Sequence, residues 1–560
     1  MADDKLKKFI NSRQKKLEDD KVSHNERMQD VADYVCPHRE DILGNRQRGD
    51  KKGGKIFDGT AVSAAVLAAD GIHGYHVSPA FPWFKYLMNR KQTNNIQKVR
   101  EWLEECEYAM YMALNRSNFY SEMWPFIYDG FTIGTADMTV EEDLAEDRLV
   151  FEAVHPGEIF IEENKYGEID VVHRKRKLTA RKIRQMFGKE TSLPDMVKNA
   201  YENNPFSEFE IIHAVYPRED FDDRRLDSKS KRFASVWMLK VGPDGGHICR
   251  ESGFDRFQHS TWRYLKSGKE VYGYSPAVLA MADIKGLNLM NKTLLGAAQM
   301  TVDPPYNIPA YLEGKVQLIP RGKNFLRDPN DRITPVNTGA GFPVGIDREQ
   351  AKQKAIQERF HVDTFLMIAN MEGSRERTRY EVQQMMKEKA AVLGAELGPL
   401  NTALDRLLDL VFDIEQKAGR IPPPPPELVE MGRQDKNLRF DPVYMGPLAQ
   451  AQREAFAKDG LLNFINDIAP LAQVNPDVLD NIDMDKAALH LADVDNVPFG
   501  IIRPVEERDR IREAKAQATQ AATAKEDLER LAAGGKDLAK ADKDSGGMIQ
   551  DMIGAMSASA

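Results

Sequence analysis

The segment Val271–Pro305, V-Y-G-Y-S-P-A-V-L-A-M-A-D-I-K-G-L-N-L-M-N-K-T-L-L-G-A-A-Q-M-T-V-D-P-P, decides how this chain is read. It begins with a Gly-Tyr-Ser-Pro turn and ends at Asp303-Pro304-Pro305. Between those points nothing stronger than glycine interrupts a helix of about seven turns. A second helical run of similar length, Asp347 to Asn370, leads back. The insert between the two runs carries Pro304, Pro305, Pro309, Pro320, Pro329, Pro335 and Pro343 with glycines among them. Ala310 to Ile319 within it is predicted to form a β-hairpin turning at Glu313-Gly314. Two long helices bracketing a compact Pro/Gly-rich insert is the layout of a stalk with a small terminal module.

Upstream, the pattern is α+β and mostly helical. Residues 1 to about 35 are strongly charged, with apolar positions at Leu6, Phe9, Ile10, Leu17, Met28, Val31 and Tyr34, the stripe of a surface helix or helix pair. Thr60 to Gly71 reads as a small-residue helix, Asn95 to Leu114 as an amphipathic one, and Phe119 to Gly130 as an aromatic helix. From Thr132 the period shortens to two, with β-type runs at 139–140, 149–151, 158–161 and 169–172. A short helix over Thr179–Phe187 is closed by Gly188, and further strands are predicted at Phe209–Tyr216, Ala234–Val241 and Ile248.

Downstream of the stalk, a polar loop over Met371–Arg379 leads into a long helix, Tyr380 to Ala418. Its seam runs Val382, Met386, Leu393, Leu397, Leu400, Leu404, Leu408, Val411 and Ile414, and Gly398-Pro399 is expected to kink it. Pro422–Pro426 reads as a polyproline II spacer. Several short helices are predicted over 440–500, then an Ala/charge-rich helix from Pro504 to about Ala533. The Gly/Ser/Ala/Met tail from Gly534 reads as mobile.

The chain has 560 residues, 42% of them apolar and 29% charged, so it can build two to four domains with real cores. Net charge is −9 and mean hydropathy −0.52. Such acidity argues against a repressor-like DNA binder, but suits a protein past which DNA must slide without sticking. Cys36, Cys106 and Cys249 lie far apart, which indicates neither a disulfide framework nor a zinc site and fits a reducing, cytoplasmic folding compartment. No apolar h-region opens the chain, and no apolar stretch is long enough to span a membrane.

Catalytic signatures are missing: there is no G-x-x-x-x-G-K-[ST], G-x-S-x-G or H-E-x-x-H, and no cofactor is implied. His73 and His76 sit three apart and can share a helix face as metal ligands, but without a third ligand they read better as loop or core histidines. Glu141-Glu142-Asp143 with Glu146-Asp147 could attract a divalent metal; a solvated hairpin tip is the simpler reading. Arg174-Lys175-Arg176-Lys177, followed by Arg181, Lys182 and Arg184, is a candidate nucleic-acid patch. It lacks interleaved aromatics, and its alternation turns half of these side chains to solvent. Ser374, Arg375, Arg377 and Arg379 stand on the loop joining two long helices, either as a projecting cationic tip or as an ordinary helix–helix connection.

The wording of several segments resembles the portal (head-to-tail connector) proteins of short-tailed, T7-like double-stranded DNA phages. They are Tyr272-Gly273-Tyr274-Ser275-Pro276 with Asp283-Ile284-Lys285-x-Leu287-Asn288; Phe57-Asp58-Gly59-Thr60-Ala61; Ser78-Pro79-Ala80-Phe81-Pro82-Trp83-Phe84; and Tyr128-Asp129-Gly130-Phe131-Thr132-Ile133-Gly134-Thr135-Ala136. His213-Ala214-Val215-Tyr216-Pro217-Arg218 and Pro476–Asp483 with Val497-Pro498 complete the set. These occur in order over roughly 57 to 500. Where family members often carry Ala-Thr-Glu near the start of the post-loop helix, this chain has Arg377-Thr378-Arg379-Tyr380-Glu381.

The resemblance implies a ring of twelve at one vertex of the virion, assembled in the host cytoplasm. It divides the chain into a wing (1–275 and 380–480), stem helices (276–300 and 347–370), a clip (301–346), a tunnel loop (371–379), a crown (481–533) and a flexible tail (534–560). Double-stranded DNA would pass along the channel, with Ser374, Arg375, Arg377 and Arg379 at a constriction. The implied partners are the terminase large subunit, tail/adaptor proteins, and the major capsid and scaffolding proteins, with no membrane. Two other readings compete: a metal-dependent nuclease using acids near 141–147, and a scaffold or adaptor that binds through its C-terminal helix.

Overall fold

In a computed structural model the chain divides into two compact units, residues 1–467 and 468–560. The structure describes residues 2–39, 42–43, 50–90, 92–188, 193–222, 224–225, 227–241, 245–317, 319, 321, 323–328, 332–336, 342–369, 379–446, 464–465, 468, 470, 482–494, 503 and 505–544. Among the described residues no helix is long and apolar enough to cross a membrane.

The N-terminal charged stretch is one helix, α1 (Ala2–Tyr34), which serves two cores with its two ends. Near its start Ile10 packs with Ile212, Ala214, Ala234, Val236 and Met238; near its end Met28, Val31 and Ala32 join the main core. Between them Lys21 is fully buried, donating to the carbonyls of Pro156 and Ile159 at 2.7 Å each, with its ammonium over the Phe160 and Tyr272 rings. Burial holds this ammonium down at about 7, with Glu158 partly opposing the shift.

Helices α2 (Thr60–His76), α3 (Gln97–Arg116) and α4 (Phe119–Thr132) build the main core with a three-stranded antiparallel sheet. That sheet has the order β3-β2-β9, from β2 (Thr135–Asp143), β3 (Arg148–Val154) and β9 (His259–Arg263). A five-stranded antiparallel meander follows chain order: β4 (Ile159–Glu163), β5 (Ile169–Thr179), β6 (Glu208–Pro217), β7 (Phe233–Leu239) and β8 (His247–Phe254). One face meets the start of α1. The other meets α5 (Ala180–Phe187) and α6 (Asp195–Asn203) through Ile183, Phe187, Val197 and Trp237. Thr179 caps α5 by accepting from the Lys182 amide, which is why the strand converts to helix there.

The stalk helix is α7 (Pro276–Val302). Its return differs from the single run expected over Asp347–Asn370: α8 (Phe342–Arg359) and α9 (Val362–Ala369) are separate, divided at His361, whose φ is 56°. The division lets Phe360, Val362 and Phe365 all enter the core. The insert also differs. In place of a hairpin over Ala310–Ile319 there is a 3-10 turn, Ala310–Leu312, behind Pro309, with Gly314 at φ 71°. Pro309 removes a donor that a strand would need. The pairing partners are instead β10 (Tyr306–Asn307) and β11 (Thr334–Pro335).

α10 (Arg379–Lys417) continues through Pro399 and buries Leu393, Leu397, Leu400, Leu404, Leu408 and Val411. The backbone at Pro425 (φ −64°, ψ 151°) has the polyproline II form expected of the spacer, and α11 (Pro426–Gln434) starts directly after it. Residues 440–444, expected to be helical, form a strand, β12 (Phe440–Tyr444), that pairs with β1 (Phe84–Met88). A proline is tolerated here because, among the described residues, β12 has a neighbour on one side only.

In the second unit, α12 (Met484–Val494) and α13 (Val505–Asp544) are linked by Asp485, which accepts two bonds from Arg512 at 2.7 Å. The helix passes the expected end at Ala533 and crosses Gly534-Gly535, because the Lys, Ala and Leu that follow are strong helix formers. Residues 534–544 are therefore helical.

Candidate functional site

The foot of α7 is where the quoted segments converge. Ser275 caps the helix, accepting from the Val278 amide at 3.1 Å while its hydroxyl donates to the Thr132 carbonyl. Pro276 follows in the first turn, where its missing N–H costs nothing. Gly273 and Gly134 meet backbone to backbone: a Cβ on Gly273 would lie 2.2 Å from the Gly134 carbonyl oxygen. The Gly273 amide donates to Thr135 Oγ1 at 2.8 Å. Two glycine-containing motifs more than a hundred residues apart in the chain are thus one packing contact.

Further along, buried Asn288 accepts from the amides of Phe57 (2.7 Å) and Asp58 (3.1 Å) and donates to the Ile284 carbonyl. Asp58 accepts from the Thr60 amide at the start of α2, from Asn291 of α7 at 2.9 Å, and from Gln353 of α8 at 3.1 Å. It therefore ties three helices together. Lys352 of α8 donates to Asp283 of α7 at 2.9 Å. The Asp-Gly-Thr pattern before an apolar helix could have flagged the bond from the Thr60 amide to Asp58; its reach to α7 and α8 had no local signal.

Beyond Asn288 the character of α7 changes. From Leu289 to Val302 the only charged residue is Lys292. Yet Leu289 is 67% exposed, Leu295 53%, Met300 52% and Val302 86%. Each such side chain is worth about 1.5–3 kcal/mol when fully covered. The insert at its end is similarly open. Phe325 is 83% exposed and Ile319 66%, flanked by exposed Arg321, Lys323 and Arg327. Among its described residues, Asn324 closes a two-bond pair with the Gln317 backbone (2.7 and 3.1 Å), and the Arg327 amide donates to Tyr311 Oη at 3.0 Å.

The basic run 174–177 lies on β5. Arg174 is buried and grips Glu152 (2.6 Å) and Glu158 (2.9 Å), and these carboxylates raise its pKa against the opposing effect of burial. Lys175 pairs with Glu18 at 2.9 Å and Arg176 with Glu152 at 3.3 Å. Only Lys177 of the four is exposed; Arg174 is buried and Lys175 and Arg176 are half-buried, all three tied into ion pairs in place of the expected half-solvated basic face. The acidic run is the β2–β3 turn, and it too is matched by arginine: Arg420 reaches Glu142 (3.0 Å) and Asp147 (2.6 Å), and Arg148 reaches Glu146 (2.9 Å).

His73 and His76 go separate ways: His73 donates to the Tyr120 carbonyl at 3.1 Å, and buried His76 bonds Asn401 at 2.7 Å. Ser374, Arg375 and Arg377 lie outside the described residues. Arg379 is the first residue of α10, and its side chain also lies outside them.

A family model described as bacteriophage head to tail connecting protein matches residues 7–502. The chain is 30% identical over 535 residues to the portal protein of Salmonella phage epsilon15, covering 94% of each chain. It is 28% identical over 535 residues to the probable portal protein of Bordetella phage BPP-1, covering 93% of each.

Proposed function

The chain belongs to the family of bacteriophage head-to-tail connecting proteins, and from that premise we propose that it forms a twelve-membered ring at one capsid vertex, the portal of its phage. The observation that carries the ring is the distal half of α7. Four large apolar side chains along one stretch of helix, with one charge among them, suit burial against a neighbouring copy. A head-to-tail contact of this kind closes when its rotation divides the circle.

In this reading 276–300 and 347–370 line the channel and 301–346 is the docking platform. Residues 1–275 and 380–480 form the wing, and 481–533 the crown. Double-stranded DNA passes through, packaged by a terminase motor and later retained by tail adaptors; capsid and scaffolding proteins hold the ring at its vertex. The acidity of the chain, −9 overall, keeps the wall from gripping phosphate. Ser374, Arg375, Arg377 and Arg379 would supply the brief contacts with the duplex. The exposed Ile319 and Phe325, with Arg321, Lys323 and Arg327, would seat a partner with an acidic rim and an apolar socket.

Light scattering and negative-stain images of the purified protein test the ring. Annular particles near twelve times the 63.4 kDa chain are expected. A compact dimer that cleaves DNA with metal would overturn the reading in favour of a nuclease.

A further inference from the structure

The second stalk helix breaks where its sequence supplies no breaker. Arg359-Phe360-His361-Val362 contains neither glycine nor proline, yet α8 ends at Arg359 and α9 begins at Val362. His361 sits between them at φ 56°, a left-handed conformation that residues other than glycine seldom adopt. Local preference therefore favours one continuous helix, and tertiary contacts hold the bend.

Those contacts are specific. His361 Nε2 lies 2.9 Å from Glu396 Oε2 on α10, and the Tyr264 hydroxyl donates to the same oxygen. Tyr264 is itself buried and set edge-on to Phe131 at 5.1 Å. Burial pushes the Glu396 carboxyl up, but His361 and Tyr264 outweigh it and hold the group below the usual range. On the far side of the bend, Phe365 rests on Gly71 of α2, where a Cβ would come within 2.3 Å of its ring.

We propose that α8–α9 is a two-state element, held bent by a latch of His361, Glu396 and Tyr264 and able to close into one continuous helix when the latch opens. Straightening would withdraw Phe365 from Gly71 and redirect the segment that follows α9. That this segment faces DNA rests on the portal reading; the latch itself does not.

Spin labels at Arg348→Cys and Leu366→Cys, both exposed positions, report the bend by pulsed dipolar spectroscopy in rings diluted with unlabelled chain. The native cysteines are buried. A continuous helix separates the sites by about 27 Å at 1.5 Å per residue, and the bent form by less. Wild type should show the short separation alone. His361→Ala and the isosteric Glu396→Gln should each raise the long-separation population at least tenfold. His361→Gly, which accepts a positive φ without strain, should stay bent. If Glu396→Gln and His361→Ala both keep the wild-type distribution in folded protein, the latch is wrong. Ring formation is read on the same samples, so a failure of the portal reading is seen separately.

Discussion

The two halves of α7 are built from similar residues and meet opposite fates. From Pro276 to Asn288 the helix is capped, buried at Ala277, Ala280, Ile284 and Leu287, and bonded through Asn288 to the loop before α2. From Leu289 to Val302 comparable apolar side chains face outward. The difference teaches that apolar content alone does not place a residue in the core of its own chain. The foot is covered by motifs from the same protomer, and in the proposed ring the tip would be covered by another.

The largest expected effect separates the halves outright. Leu289→Asp combined with Leu295→Asp should abolish the ring and leave a monomer by light scattering, with a thermal midpoint like that of unassembled wild type. Rings that survive this pair would remove the distal half from the interface. At the foot the loss should be of folding instead. Gly273→Ala places a Cβ 2.2 Å from a backbone oxygen, so neither side can yield easily, and a cost of about 3 kcal/mol is expected in urea titration.

Asn288→Ala strands two amides in a buried site, about 2 kcal/mol by the same titration. One turn outward, Asn291→Ala should cost under about 1 kcal/mol, because Asp58 keeps its bonds to Thr60 and Gln353. Equal losses at 288 and 291 would erase the boundary between the halves.

A pH-dependent effect separate from these concerns Lys21, whose ammonium lies over Tyr272 just before α7. Its pKa falls from 10.5 to about 7 on folding, so between those values the unfolded chain binds a proton that the folded chain lacks. Stability therefore rises with pH across that window, by up to about 1.4 kcal/mol per unit, and the penalty is full and constant below it. Lys21→Met should flatten that slope in urea midpoints measured across the window; an unchanged slope would assign it to other groups.

Much of this was readable along the chain. The ends of α7 follow from Ser275-Pro276 and Asp303-Pro304, since caps and breakers are local. The meander β4–β8 is legible for the same reason: each strand pairs with its sequence neighbour. The strand pair β1 and β12 was not legible, because Phe84 meets Tyr444 across most of the unit and Pro442 hides the strand pattern. The pairing of the basic run 174–177 was not legible, because charge is visible in sequence and its partners Glu18, Glu152 and Glu158 are not.

The sequence by itself determined where helices and most neighbouring strands lie, that two long helices flank a proline-rich insert, and which ordered motifs mark the family. Those features depend on interactions within a few residues, or on the order of residues alone. Only the tertiary structure decided that Gly134 touches Gly273, that Asp58 ties α2, α7 and α8, and that the returning helix bends at His361. Each of these is set by groups distant in the chain, and in the last case they override the conformation the local sequence prefers.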